Sequence, residues 1–121
     1  MSKIIIVEDN KDLSNIYKSE LEYNGFEITT VGTSMEMFSV IDEVKPNLVL
    51  LDIMLPDSSG IDTLKRIKSD KKYSNIKIII VSNIDAPAVI NEAFAAGADG
   101  YLIKSIILPT QLTDEVKSFL T

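Results

Sequence analysis

The sequence predicts an α/β protein with a doubly wound, five-stranded parallel sheet covered by helices on both faces. Short β-branched runs alternate with longer stretches of helical periodicity along the whole chain, and parallel strands need helical crossovers. Several runs are apolar without a break, as strands buried on both sides must be. The 121 residues suffice for one domain, residues 1–121, and leave no room for a second.

Ile4 to Val7 reads as a buried first strand. Leu13, Ile16, Tyr17 and Leu21 follow at helical spacing, with Gly25 where a helix C-terminus belongs. Phe26 to Val31 is a second strand whose polar residues suit a sheet edge, and Thr33 or Ser34 is the next N-cap. Phe38, Ile41 and Val44 form the apolar stripe of a second helix that ends before Pro46. Leu48 to Leu51 is a continuous apolar strand running into Asp52. The loop from Pro56 to Gly60 leads to a third helix with Ile61, Leu64 and Ile67 inward. Ile78 to Val81 is the fourth strand, ending at Ser82. Val89, Ile90, Ala93 and Phe94 line a fourth helix, capped by Asp85 ahead of Ala86-Pro87 and closed by Gly97. Tyr101 to Ile103 make a fifth strand ending at Lys104, and Leu112, Val116, Phe119 and Leu120 face inward on a last helix. That helix starts at Leu108-Pro109, where proline suits the first turn but leucine is a poor cap, so its end is expected to fray.

Composition removes several functions. Hydrophobic residues are 45% and charged residues 25%, an ordinary globular mix. With no cysteine and no histidine, disulfides, thiolate metal sites and histidine catalysis are excluded. The net charge of −6 argues against nucleic acid. Lys65, Arg66, Lys68, Lys71 and Lys72 form a basic run that reads as a solvated helix end. The first apolar run is too short for a signal peptide or membrane span, and a soluble cytoplasmic protein is expected. The opening Met1 and the lack of a trailing linker favour a stand-alone domain over an excised piece.

The polar residues that stand out share one rim. Glu8 and Asp9 follow strand 1, Asp52 ends strand 3, Ser82 ends strand 4 and Lys104 ends strand 5. In an open parallel sheet, ligands bind beyond the C-terminal strand ends, at the point where the winding reverses. With strand order 2-1-3-4-5 that point lies between strands 1 and 3, beside Asp9 and Asp52. Two like charges ~4 Å apart repel by about 4 kcal/mol at an effective dielectric near 20, so such acids bind a cation or take up protons. Oxygen ligands without His or Cys favour Mg²⁺. A phosphoryl group has three peripheral oxygens; the cation, the Lys104 ammonium and the Ser82 hydroxyl suit one each, with Asp52 as nucleophile. Taken singly, Asp9 or Asn10 reads equally as a helix cap, Asp52 as a turn residue and Lys104 as a surface lysine. Only the joint placement points to chemistry.

Four segments resemble the response-regulator receiver family of two-component systems: Ile4 to Asn10, Leu50 to Gly60, Ile79 to Ser82 and Gly97 to Lys104. The resemblance spans essentially the whole chain and implies a flavodoxin-like (βα)5 fold. It implies that Asp52 is the phosphoacceptor, with self-catalysed phosphorylation and dephosphorylation in a signalling switch rather than a classical enzyme. Glu8, Asp9 and Asp52 would place Mg²⁺, which should also touch the backbone carbonyl of Met54. Ser82 and Tyr101 would form the switch, the hydroxyl moving to the phosphoryl group as the ring turns inward. The face made by helix 4, strand 5 and helix 5 would meet partners. The implied donor is a sensor histidine kinase or phosphotransfer protein, and the implied state a monomer or weak dimer. Two departures stand at the site. Ser105 replaces the proline that usually follows the lysine through a cis bond, so a trans bond is expected. Asn83 replaces a small residue at the phosphoryl entrance, and Met54 and Ile84 add apolar bulk there, which is expected to lengthen the phosphorylated lifetime.

Rival readings fit less well. A flavin electron carrier needs an uncharged phosphate-binding loop after strand 1, where this chain has Glu8-Asp9-Asn10-Lys11-Asp12. An aspartyl-phosphate phosphatase wants a second acid at the position of Met54. A degenerate receiver that binds partners without phosphorylation is the remaining alternative.

Overall fold

In the computed structural model, which describes residues 1–120, the apolar runs pair in parallel. The strands β1 (Lys3–Val7), β2 (Glu27–Val31), β3 (Leu48–Leu51), β4 (Lys77–Ser82) and β5 (Gly100–Ile103) lie in the order β2-β1-β3-β4-β5. Helices α1 (Lys11–Tyr23), α2 (Ser34–Val44), α3 (Gly60–Ser69) and α4 (Pro87–Ala95) make the crossovers, and α5 (Pro109–Leu120) follows β5. A 3-10 turn, Lys71–Tyr73, precedes β4. The expected doubly wound architecture is therefore present, with the winding reversing between β1 and β3.

The two-residue period of a strand divides the interior into two layers. Ile5, Val7, Val49, Leu51, Ile78 and Ile80 face α2, α3 and α4, where Met37, Ile41, Leu64, Ile67 and Ala93 meet them. Ile4, Ile6, Leu48, Leu50, Ile79 and Val81 face α1 and α5, against Tyr17, Leu21, Leu112 and Val116. Each such side chain contributes roughly 1.5–3 kcal/mol by leaving water. Glu27, at the start of edge strand β2, is exposed.

Two helices turn differently from the sequence expectation. On α1 the buried positions are Ser14, Tyr17 and Leu21, and Ile16 is 51% exposed. On α4 only Ala93 is fully buried, and Phe94 is 48% exposed. Each misplaced residue sits next to a buried one, about 100° round the helix, because a helix laid on a flat sheet buries a narrow stripe. On α2, Met37 is fully buried while Phe38 is half-buried with Arg66 stacked 3.8 Å over its ring. That stacking, with Lys68 paired to Asp99 and Lys72 to Asp42, engages part of the basic run in intramolecular contacts. Among the described residues no helix is long and apolar enough to cross a membrane.

Helix ends are set by side chains near and far. Asn10 caps α1 by accepting from Leu13 N (3.1 Å), and Thr33 caps α2 through Glu36 N (3.0 Å). The cap of α4 is Ala86 and not Asp85, and it offers no side-chain hydrogen bond. Proline at the first helical position holds the residue before it in extended backbone, so the cap moves one place closer than Asp85. Leu108 provides no side-chain cap for α5, yet its N–H is taken by Gln111 Oε1 at 2.9 Å, so the expected fraying is countered by a reaching-back glutamine.

The donors of α2 that Thr33 leaves over go to Asp57, from the loop after β3: Ser34 N at 3.0 Å and Met35 N at 2.9 Å. The bonds from Met35 and Ser34 hold the Asp57 carboxyl below the usual aspartate range. A depressed folded-state value means stability present above the unfolded pKa of about 3.9 and lost as pH falls through the lower one. Asp57→Asn should therefore lower the urea midpoint at pH 7, and the gap from wild type should close in acid. An undiminished gap at the acid end would show that charge is not the cause.

Candidate functional site

Backbone hydrogen bonding carries the sheet ladder one residue past each strand. Glu8 N donates to Val31 O (3.0 Å), Asp52 N to Val7 O (3.1 Å) and Lys104 N to Ser82 O (3.0 Å). Each chemically distinctive residue is thus pinned by the end of a neighbouring strand, and all of them open onto one rim.

Lys104 Nζ lies between two buried carboxylates. It donates to Asp52 Oδ2 at 2.8 Å and pairs with Glu8 Oε1. Side-chain exposure is 13% for Lys104, 5% for Glu8 and 7% for Asp52, so all three have left bulk water. The second Glu8 oxygen accepts from Asn10 N (3.0 Å), and Asp52 Oδ1 accepts from Met54 N (3.2 Å). Asp9 is exposed, and Glu8, Asp9 and Asp52 each place a carboxylate oxygen within 4.8 Å of the others.

Burial pushes the Glu8 carboxyl up despite the hydrogen bonds of Lys104 and Asn10, and the charge of Asp52 adds to the rise. Burial works against the Lys104 ammonium, but its hydrogen bonds to Asp52 and Glu8 outweigh burial and raise its pKa. The ammonium therefore stays charged at neutral pH. Counted at formal charges, three carboxylates against this one ammonium leave a surplus of two negative charges. The donor set is all oxygen and the charge deficit is that of a divalent ion, so the residues fit a hard cation such as Mg²⁺.

Ser82, 1% exposed, accepts from Ile84 N through Oγ at 3.2 Å. Tyr101, half-buried on β5, donates its hydroxyl to Ile84 O at 2.6 Å. The two sequence-predicted switch residues are joined through the backbone of Ile84, whose side chain packs on the core. Asn83 is exposed on the same loop, and Met54, in the loop after β3, is 68% exposed. After Lys104 the bond to Ser105 is trans, as expected without proline, and Ile106 N and Ile107 N both turn back to Ile103 O.

Sequence reasoning assigned Gly60 to the loop or helix start and missed its tighter duty. A Cβ there would lie 2.1 Å from the Asp52 carbonyl oxygen and 2.7 Å from Ile53 Cα, both backbone atoms. Its N–H donates to Ile53 O at 2.7 Å, closing the loop under the acidic residue. The Ile84 backbone contact was also missed, because main-chain groups leave no residue-type signal.

Comparison with known proteins agrees with this geometry. The family pattern described as response regulator receiver domain matches residues 4–117. The chain is 28% identical to Protein RcaC of Microchaete diplosiphon over 87% of its own length but only 16% of that protein's. It is also 28% identical to the polar-differentiation response regulator DivK of Brucella ovis, covering 97% of this chain and 94% of DivK. A crystal structure of a CheY-like response regulator receiver domain protein from Methanospirillum hungatei JF-1 superposes with a TM-score of 0.91 at 30% identity, covering 99% of this chain and 94% of the other.

Gly60→Ala should destabilise the protein by about 1–3 kcal/mol or more, the range for forcing atoms into a filled interior. Urea unfolding measures it; wild-type stability would mean that the loop beneath Asp52 yields freely.

Proposed function

This chain belongs to the response-regulator receiver family, and from that premise we propose that residues 1–121 form one phosphoacceptor switch of a two-component pathway, phosphorylated on Asp52 with Mg²⁺. The observation that carries the reading is the Lys104 ammonium shared between Glu8 and Asp52, with Asp9 in reach of the same point. The donor would be a sensor histidine kinase or phosphotransfer protein, the compartment the cytoplasm, and the protein a monomer or weak dimer.

The carboxylates of Glu8, Asp9 and Asp52 and the backbone carbonyl of Met54 would hold the cation, which supplies positive charge to the phosphoryl oxygens. One Asp52 oxygen forms a bond to phosphorus as the bond to the donor breaks, and the donor leaves with that electron pair. The product is an acyl phosphate. Lys104 moves from the carboxylate it now neutralises to a phosphoryl oxygen. Ser82 Oγ gives up Ile84 N and donates to another, which frees the backbone that holds Tyr101. The change then reaches α4, β5 and α5, the proposed partner face. Hydrolysis at phosphorus returns Asp52, so the domain is a signalling switch with self-catalysed steps.

Incubation with a small phosphodonor and Mg²⁺, followed by intact-mass measurement, should add one phosphoryl group to wild type and none to Asp52→Asn. Chelation of the metal should prevent the gain. No gain in either protein would leave a phosphorylation-independent binding module instead.

Met54 and Ile84 flank the proposed entrance, with Asn83 beside it. Smaller or polar residues at Met54 and Ile84 together should speed phosphate release from the phosphorylated protein by admitting water. Release at the wild-type rate would remove steric shielding as the cause.

A further inference from the structure

Beside β5 runs a surface groove of about 400 Å³. The strand is a sheet edge, hydrogen-bonded to β4 on one side only. Strand alternation turns Tyr101 and Ile103 toward one face of the sheet and Leu102 toward the other, and all three are half-buried. The groove continues past the strand to Ile106 and Ile107. Ile106 is 74% exposed, and Leu108 just beyond it is 59% exposed. Apolar side chains gathered in an open groove with a polar rim mark a place where another molecule is held.

The rim selects the occupant. The charged side chains that line the groove are Asp114 and Glu115, both exposed on α5. From residue 83 to residue 120 the only basic side chains are Lys104 and Lys117. Lys104 is held by Asp52 and Glu8, and Lys117 donates to Asn24 Oδ1 at 3.1 Å. Among the described residues neither Asp114 nor Glu115 forms an ion pair. A nucleic-acid backbone or an acidic lipid headgroup would meet like charge here. A second copy docked by the same face fares no better, since a two-fold contact sets one patch against itself and acids against acids. Clustered basic charge on a second copy lies in the run at residues 65–72. There Arg66 stacks on Phe38, and Lys68 and Lys72 pair with Asp99 and Asp42.

We propose that this groove takes a cationic, amphipathic segment of a partner protein, with bulky apolar side chains against Tyr101, Ile103 and Ile106 and Lys or Arg beside Asp114 and Glu115. The inference rests on the reading of α4, β5 and α5 as the partner face, and it gives that partner its chemistry. Tyr101 is a wall of the groove, and its hydroxyl is tied to Ile84 O. A change at Ser82 and Ile84 that releases the ring alters the shape of the groove and leaves its charge in place. Charge sets which partner fits, and the ring sets when.

Titration with two labelled helical peptides tests it: one of leucine and lysine with the leucines three and four residues apart, and one with glutamate for every lysine. Each is added to the protein with and without a small phosphodonor and Mg²⁺, while intact mass records the state of Asp52. The lysine peptide should bind about tenfold more tightly than its counterpart and weaken as salt screens the contact. Asp114→Lys with Glu115→Lys should reverse that preference. Glu22→Lys with Glu43→Lys makes the same change in net charge at exposed positions of α1 and α2, and should preserve it. Ile106→Ser, at an exposed position, should weaken the lysine peptide roughly tenfold by removing an apolar anchor.

An unchanged preference in the α5 variant, or an equal loss in the α1 and α2 variant, overturns the proposal, because total charge would then be the cause. Self-association of the wild type that the α5 reversal abolishes overturns it too, a second copy being the occupant. A gain of mass at Asp52 with neither peptide bound removes the cationic partner and leaves the switch standing. Selective binding of the lysine peptide without any gain of mass supports the groove and removes the phosphorylation reading instead.

Discussion

The ammonium of Lys104, drawn out of water and shared by Glu8 and Asp52, is the contact on which the rim depends. Two buried carboxylates side by side would drive one another toward protonation, and burial alone already raises Glu8. Lysine suits this place better than arginine. Its charge is compact and its three donors rotate on a flexible stem, so it can serve two acceptors at once and, in the proposed switch, would exchange one for a phosphoryl oxygen. The charge balance is still incomplete, because Asp9 adds a third carboxylate that lysine does not neutralise. A shortfall of about two positive charges would suit a divalent ion better than a second lysine, since one small ion could be shared by all three acids.

Placing three side chains from distant parts of the sequence within a few ångströms needs little beyond the sheet itself. Glu8, Asp52 and Lys104 each lie one residue past a strand, and each is fixed by a ladder bond to its neighbour. Parallel pairing in this register makes the strand ends coincide. The Asp52 loop then folds back so tightly that a Cβ on Gly60 would collide with the Asp52 carbonyl, and Asp57 from the same loop anchors α2. The site is therefore continuous with the core, and its geometry inherits the stiffness of two packed layers.

How far this was legible in the sequence depended on the kind of signal. Apolar runs that stop at Glu8, Asp52, Ser82 and Lys104 mark strand ends directly, since an interior covered on both faces admits no polar residue until the rim. The fold and the convergence of acids follow from that pattern and from the winding rule. Helix faces were read less well. Ile16 and Phe94 are apolar and correctly spaced, yet they point outward, because spacing defines a stripe but not which of two adjacent residues the sheet covers. The Asp57 cap bridges residues 23 apart and the Gly60 contact involves backbone only, so neither has a local pattern to betray it.

The backbone of Ile84 shows how a small chemical change at Asp52 can be carried outward. Its N–H is held by Ser82 Oγ and its carbonyl by the Tyr101 hydroxyl, so one residue links the Ser82 side chain to the aromatic ring on β5. The two groups belong to successive planar peptides hinged at a single Cα, which leaves only φ and ψ free between them. Ser82 is fully buried. Its hydroxyl proton can be directed elsewhere while Oγ still accepts, but rotating the oxygen itself toward a phosphoryl group withdraws the acceptor from Ile84 N. A net bond of about 1 kcal/mol is then lost unless the backbone moves with it. No side chain ties that backbone to the first turn of α4, which starts just beyond with Ala86 as its cap. An Asp or Ser cap there would have fixed the helix start to the loop and resisted the shift by a comparable amount. The weak cap that broke the sequence expectation thus lies where the proposed switch would have the loop beside Ser82 choose between two arrangements, a choice that a firmer cap would oppose.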